Sequence, residues 1–327
     1  MITGASGQDG TLLSNLIYSI NPDAQQFLVS RHRRTGDDRP NARWIQEDFS
    51  SPTSASTLFE ALSPDVIFHL SGSSSVASSW ENPGAAMTSN TVVTATLLEA
   101  ARKMKSSPRI VLAGSSEIFP RGEYLASESS PLVPSSPYGV SKATNLELGR
   151  IYREIHGLDI STAIMFNHES TIRDVRYVSR SISLQVAAIS LGFISRVSVQ
   201  SKTASKDWGW AQDFVQALFL LSEKPGMGEV VIATGVRTSV QELAQFAAEA
   251  INQHGQLEVI EIDGPLRPND KEHPLGDCRL AKESLNWTPT RLPPDFMPLM
   301  VESDIARLSS KGQSYAVQEL RRAGIKS

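Results

Sequence analysis

The sequence predicts an α/β fold, a doubly wound parallel sheet followed by a smaller C-terminal α/β lobe. Apolar strand-like runs alternate with helical patterns through the first half, a glycine-rich turn stands directly before an amphipathic helix, and the pattern becomes mixed beyond Asn167. The runs Phe27 to Ser30, Val66 to Leu70, Ile110 to Ala113 and Ile160 to Met165 are spaced as strands of βαβ units, which bury both faces of a sheet under helices. Residues 1–166 are expected to form the first lobe and residues 167–327 mainly the second, interleaved with it. In the second, helices are expected near Val178 to Leu191, Ala211 to Ser222 and Val240 to Asn252, with strands near Val197 to Val199 and Glu229 to Ile232. The pattern is helical again from Asp295, and the residues from Leu308 onward are expected to be solvent-facing or frayed.

Composition excludes several classes. The 327 residues are 40% hydrophobic and 20% charged with no long apolar run, which describes a globular protein rather than a disordered or membrane-spanning one. A net charge of −4 supplies no general attraction to nucleic acid or to an anionic membrane. Cys278 is the single cysteine, so no internal disulfide can form and no paired Cys/His spacing offers a zinc site. Met1 leads almost directly into the glycine turn without a signal-peptide pattern, and a cytoplasmic location is expected.

That turn, Thr3-Gly4-Ala5-Ser6-Gly7-Gln8-Asp9-Gly10, spaces Gly4, Gly7 and Gly10 ahead of a helix bearing Leu12, Leu13, Leu16 and Ile17. Glycines allow backbone N–H groups at a helix N-terminus to approach a pyrophosphate closely, so Gly4, Gly7, Gln8, Asp9 and Gly10 are candidate dinucleotide-binding residues of a Rossmann-type lobe. Only Met1 to Thr3 precede the turn, where a strand needs about five residues, so a natural start upstream of Met1 is expected. After the second strand comes Arg31-His32-Arg33-Arg34 in place of the acidic residue that would bind a ribose hydroxyl. Basic groups there suit the 2′-phosphate of NADP, with Arg31 first among them. Asp48 and Phe49 follow the third strand, where the adenine usually lies, and Ser75 is a candidate substrate contact after the fourth.

Gly114-Ser115-Ser116-Glu117 follows the strand Ile110 to Ala113, at the carboxyl end where ligands sit in such sheets. Tyr138 and Lys142 stand four apart in Tyr138-Gly139-Val140-Ser141-Lys142, which places them one turn apart on one helix face. An ammonium near a tyrosine lowers its pKa toward that of a useful base, and Ser115 can bond the substrate hydroxyl beside it. Glu117 adds a carboxylate to the set.

Together the glycine turn, Ser115-Ser116-Glu117 and the stretch Ser136 to Ala143 resemble the extended short-chain dehydrogenases of nucleotide-sugar metabolism. Phe166-Asn167-His168-Glu169-Ser170, Asp207-Trp208-Gly209, Val231 to Gly235 and Leu275 to Pro289 narrow the resemblance to the GDP-mannose 4,6-dehydratases over nearly the whole chain. The resemblance implies that Tyr138, with Ser115 and Lys142, takes the proton of the sugar 4-hydroxyl as hydride passes from C4 to NADP. Glu117 then removes the C5 proton and assists loss of the C6 hydroxyl as water, the hydride returns to C6, and GDP-4-keto-6-deoxy-mannose results. It further implies that Ser116 and Asn167 touch the nucleotide sugar, and that Arg180, Lys206 and Arg267 surround its phosphates. The chain departs from the pattern at Ser115 for threonine, at Phe119-Pro120 for Tyr-Gly, at Thr171 to Asp174, at Ser181, and at Lys206 for arginine. The segment Arg34 to Trp44 is shorter than the arginine-bearing loop through which relatives pair as tetramers, so a homodimer is expected, built on helices that include the one carrying Tyr138. Metal is not expected. Trp208, Trp287 and His168 are expected to be packing or loop residues. A nucleotide-sugar reductase or epimerase, and a non-catalytic NADP-binding protein, are the alternatives.

Overall fold

Seven parallel strands form the central sheet of the computed structural model, which describes residues 1–31, 39–253, 257–262 and 272–325. In chain order they are β1 (Ile2–Thr3), β2 (Gln26–Ser30), β3 (Ala42–Gln46), β4 (Val66–His69), β5 (Arg109–Ala113), β6 (Ile160–Met165) and β7 (Glu229–Ile232). Their spatial order is β7-β6-β5-β4-β1-β2-β3. The chain runs outward from β1 through β2 to β3, then restarts at β4 on the other side of β1. This reversal opens a crevice at the carboxyl ends of β1 and β4, the place where such sheets bind ligands.

Alternation along the strands explains the two layers. Val111 of β5 faces a core shared with Leu13 and Phe214, while its neighbours Ile110 and Leu112 face Phe59 and Leu97 on the opposite side. The first layer comes from α1 (Gln8–Ile20) and a later helix, Ala211–Glu223; the second comes from α2 (Pro52–Leu62) and α3 (Val93–Lys103). Beside α3 lies α4 (Pro137–His156), the helix bearing Tyr138 and Lys142. All six residues of β6 are buried, as expected of a strand covered on both faces.

Beyond β6 the chain leaves the sheet, but not for good. After α5 (Val178–Ser190), the helix α6 (Ala211–Glu223) packs in the first core, and β7 pairs with β6 in parallel. The second core lies among α5, α7 (Val240–Glu249) and the C-terminal helices, with Ile182, Leu243, Phe296 and Met300 wholly buried. A small sheet of Asn167–Glu169, Ser205–Trp210 and Arg237–Ser239 joins the lobes. The buried Asp207 carboxylate fixes its centre, accepting hydrogen bonds from the Thr234 hydroxyl at 2.6 Å and from the amides of Thr234, Gly235 and Gly276. Trp208 and Trp287 pack as expected, each buried with its indole N–H donated to a carbonyl, of Thr238 and Asp213 respectively.

The tail does not fray. After Arg279–Leu285 (α8), the helix α9 (Pro293–Lys311) is followed by α10 (Gln313–Arg322), and Leu308, Ala316 and Leu320 are fully buried. Ala316 and Leu320 stand four apart and give α10 an apolar stripe that the polar composition of the segment conceals. No helix among the described residues is long and apolar enough to cross a membrane.

Inside the second core, Arg180 of α5 pairs with Asp304 of α9, and Ser183 Oγ donates to the same carboxylate at 2.8 Å. Both members of the pair are sealed from solvent. Removing one leaves the other charge buried alone, so Asp304→Ala should lower stability by about 3–5 kcal/mol in urea titrations. The double change Arg180→Met with Asp304→Leu should recover most of that loss; a double variant no more stable than Asp304→Ala would contradict this account.

Candidate functional site

The glycine turn is built to admit a diphosphate. Gly4 adopts φ +69°, and a Cβ there would lie 2.7 Å from the backbone of Leu70 at the end of β4. At Gly10 a Cβ would meet the Cα of Ala5 at 2.6 Å, so the first turn of α1 can lie flat on the loop. Gly7 is the N-cap of α1 and offers no side-chain acceptor, which leaves the first amides of the helix to a ligand. A pyrophosphate fits this cradle on the chemistry of its donors.

The side chains of Gln8 and Asp9 face another way. The Gln8 amide donates to Asp9 Oδ1 at 3.0 Å and to the His168 carbonyl at 3.2 Å, and its oxygen accepts from Ser170 Oγ at 2.7 Å. Asp9 Oδ2 meets His168 Nε2 at 3.1 Å. The cofactor turn is thereby tied to the Asn167–Glu169 strand. Burial pushes the Asp9 carboxyl up, but His168 and Gln8 more than offset this and hold it well below its usual range. Burial pulls His168 down, and Asp9 together with the Phe166 carbonyl raises it above the usual histidine value. His168 also stacks on Phe214 at 4.7 Å, as a packing residue would.

At the adenine end, Arg31 is exposed and close enough to Asp48 to draw its carboxyl down, after the larger effect of Ser50. The ring of Phe49 is committed to the core against Phe59, its backbone at φ +54°, so only its main chain can meet a nucleotide. His32, Arg33 and Arg34 lie outside the described residues.

Ser115, directly after β5, opens a short turn over Ser116–Ile118 with its hydroxyl accepting from the Glu117 amide at 3.3 Å. Helix α4 begins against that turn, capped by Ser136 Oγ, which accepts from the Gly139 amide at 3.0 Å. A Cβ at Gly139 would come within 2.4 Å of the Glu117 carbonyl oxygen. This contact brings Tyr138, Lys142, Ser115 and Glu117 together, all of them buried. Lys142 Nζ donates to the Ala113 carbonyl at 2.8 Å and lies 5.9 Å from the Tyr138 ring.

The protonation pattern differs from the expected one. Burial pushes the Tyr138 hydroxyl far above its ordinary value, and a hydrogen bond with Ser115 only partly counters it. Burial also lowers Lys142 to about 8, with Asp9 opposing. The expected lowering of the tyrosine by its lysine is absent because the ammonium is turned to a carbonyl and is itself desolvated.

Cations crowd Glu117 instead. Arg121 Nη2 bonds Glu117 Oε2 at 2.6 Å, while Lys206 Nζ and His273 Nδ1 each lie 3.8 Å from Oε1. Lys206 therefore meets the reacting end of the crevice. The phosphate role expected of Arg180 is overturned, because its guanidinium is consumed by Asp304 in the second core. Arg267 lies outside the described residues. Ser75 spends its hydroxyl on a helix cap, accepting from the Ser78 amide at 3.1 Å. Ser116 and Asn167 are half-buried.

Sequence reasoning passed over Arg121, His273 and Arg173. Arg173 stacks on Tyr177 at 3.7 Å, and its Nε lies 3.5 Å from Glu169 Oε2. Its charge reaches both Asp9 and Tyr138. It stands in the Thr171 to Asp174 stretch read as a departure, although its own type matches the pattern there. Arg121 was signalled only by its spacing of four from Glu117. Nothing near His273 in the sequence marks it. Asn90 also emerges, in a wide helical turn over Thr88–Val92, where its amide donates to Ser141 Oγ of α4 at 2.8 Å.

Comparison with known proteins follows this geometry. The profile of a family described as GDP-mannose 4,6 dehydratase matches residues 1–296. A GDP-mannose 4,6 dehydratase of Arabidopsis thaliana is 31% identical over 93% of this chain and 86% of its own length. One from Sinorhizobium fredii is 28% identical over 96% and 98%. One from Sordaria araneosa is 29% identical over 98% of this chain, which spans 63% of that relative. Among solved structures, a UDP-glucose 4-epimerase from Thermotoga maritima with UDP-glucose superposes with TM-score 0.81 at 20% identity, covering 94% of this chain and 98% of its own. RMD from Pseudomonas aeruginosa, complexed with NADPH, superposes with TM-score 0.77 at 22% identity and the same coverage. These two establish the doubly wound fold.

The Asp9–His168 contact yields a test. His168 is raised in the folded protein, so its contribution is fully present below the unfolded histidine value of 6.5 and is lost as pH rises through the folded value. Urea-derived stability should fall as pH increases above 6.5, and Asp9→Asn should flatten the decline. A decline of equal slope in the variant would show that this pair does not cause it.

Proposed function

The chain belongs to the GDP-mannose 4,6-dehydratase family, and from that premise we propose that it converts GDP-mannose to GDP-4-keto-6-deoxy-mannose with loss of water. The observation that carries this reading is Glu117, a buried carboxylate set at the carboxyl end of β5 beside Ser115, Tyr138 and Lys142. Alcohol oxidation alone needs no such carboxylate. Elimination does.

NADP is the cofactor of this reading. Gly4, Gly7, Gly10 and the first amides of α1 hold its pyrophosphate, Arg31 its 2′-phosphate, and Asp48 with the Phe49 backbone borders the adenine. Arg173, whose Nε lies 3.5 Å from the Glu169 carboxylate, adds positive charge felt by both Asp9 and Tyr138. When bound, the cofactor accepts a hydride from C4 of the sugar and later returns it to C6.

The chain's own groups move the protons. Tyr138 takes the proton of the 4-hydroxyl, with Ser115 bonded to it and Lys142 adding positive charge nearby. Oxidation at C4 makes the C5 hydrogen acidic, and Glu117 removes it. The proton on Glu117 then goes to the C6 hydroxyl, which departs as water. Tyr138 gives the proton it took from the 4-hydroxyl to C5, so the net change is loss of one water without net oxidation. Lys206, Ser116 and Asn167 line the sugar and diphosphate end of the crevice.

A homodimer in the cytoplasm completes the proposal. Helix α4 presents Val140, Ile151 and Ile155 outward, the last 71% exposed, with Val92 exposed just before α3. An apolar stripe on two adjacent helices suits an isologous helix-to-helix interface. Light scattering after size exclusion should give a dimer; a tetramer would refute the argument from the short segment after β2.

Incubation with GDP-mannose and catalytic NADP should give a product lighter by one water in mass spectrometry, with no reduced cofactor accumulating. Consumption of NADPH on a 4-keto sugar, without dehydration of GDP-mannose, would identify a reductase instead. Tyr138→Phe should slow turnover by about 10²–10⁴-fold and leave NADP affinity intact.

A further inference from the structure

We infer that Arg121 is a positioning residue for the Glu117 carboxylate, holding one of its oxygens and so fixing its rotamer. The inference rests on the dehydratase reading and deepens it.

Every nitrogen of the Arg121 guanidinium is engaged. Nη2 donates to Glu117 Oε2 at 2.6 Å, Nε donates to Ser135 Oγ at 2.9 Å, and Nη1 contacts the His273 ring. These partners come from three segments: the turn after β5, the loop that leads into α4, and the stretch before Leu275–Gly276. The Gly122 amide donates to the Glu272 carbonyl at 2.9 Å and ties the first to the third. Arg121 and Glu117 are both largely buried, at 14% and 8% side-chain exposure, so the bond is shielded from competing water.

Arg121 engages Oε2, and the chemistry is assigned to Oε1. Facing it at 3.8 Å are Lys206, from the Ser205–Trp210 strand, and His273. Tyr138 of α4 is close enough to feel the charge of Glu117. Arginine stays protonated throughout the range in which enzymes work, whereas lysine and histidine can shed their charge when buried. Arg121 is therefore a partner whose hold on Glu117 does not vary with pH. An arginine against Oε2 keeps the base ionised and fixes its rotamer for the C5 hydrogen.

The step to isolate is enolisation. With GDP-4-keto-6-deoxy-mannose in deuterated water, the C5–H bond breaks, its electron pair moves into the C4 carbonyl, and the proton goes to Glu117 Oε1. Return of a deuteron labels C5. No hydride transfer is required, so exchange reports the base directly by NMR, and its pH profile reports the ionisation of that base.

Arg121→Met should slow exchange about 10²-fold and move the acid limb of the profile upward by about 1 pH unit or more, since removing a cation makes a carboxylate harder to ionise. Arg121→Lys should keep the limb near its wild-type place. If melting curves show the methionine variant unfolded, Arg121→Gln serves as the neutral form. A neutral, folded variant with the wild-type limb overturns the inference, as does a lysine variant whose limb and rate match the methionine one. Wild-type protein that neither dehydrates GDP-mannose nor exchanges C5 sinks the functional reading and this inference with it; dehydration by the wild type with an unmoved limb in the variants sinks the Arg121 role alone.

Discussion

The contact between Gly139 and the Glu117 carbonyl is the constraint on which the site depends. A side chain at Gly139 would collide with that oxygen at 2.4 Å, and the obstacle is backbone, which cannot swing aside as a side chain can. Only glycine lets α4 start so close to the end of β5. Pro137 at the first turn and the Ser136 cap fix where the helix begins, and the Tyr138 amide is donated to Ser79 Oγ at 3.2 Å. The four reactive side chains therefore meet through rigid elements rather than through a flexible loop, which is how small positional tolerances are kept.

A second tie joins the lobes. Gln8 and Asp9 belong to the cofactor turn, yet their side chains bond His168 and Ser170 across the crevice. Asp207, four hydrogen bonds deep in the joining sheet, gathers Thr234, Gly235 and Gly276 behind the same strand. The floor of the crevice is thus one polar network. Its buried carboxylates are tolerated because each is paired or multiply bonded, the condition for keeping charge away from water.

Much of the fold was legible because its signals are local. Strand runs such as Ile160 to Met165 and the glycine turn announce themselves by composition and spacing, and Tyr138 and Lys142 by a fixed interval on one helix. What escaped depends on long-range placement. Arg180 and Asp304 are 124 residues apart, and only the packing of α5 on α9 reveals that the arginine is spent there and is not free for a phosphate. The tail was misjudged because α10 buries just a narrow stripe, Ala316 and Leu320, within a charged helix. Likewise His273 reaches Glu117 from a distant segment whose local sequence carries no mark of a site.

The electrostatics of Tyr138 and Glu117 separate their tasks. Burial dominates at the tyrosine, with Lys142 turned to a carbonyl, so its proton is held tightly. Around the glutamate three basic side chains converge, one of them bonded directly. Environments that push two proton-carrying groups apart are how a single crevice runs two different proton transfers. In the proposed reaction Tyr138 acts as the phenolate, which burial disfavours and which the Ser115 hydrogen bond and the Arg173 charge favour. The clamped carboxylate suits a carbon acid that must meet a ready, charged base. Since Glu117 and Tyr138 repel as anions, the proton that Tyr138 takes up in the proposed first step relieves that repulsion and leaves Glu117 as the charged base for the second.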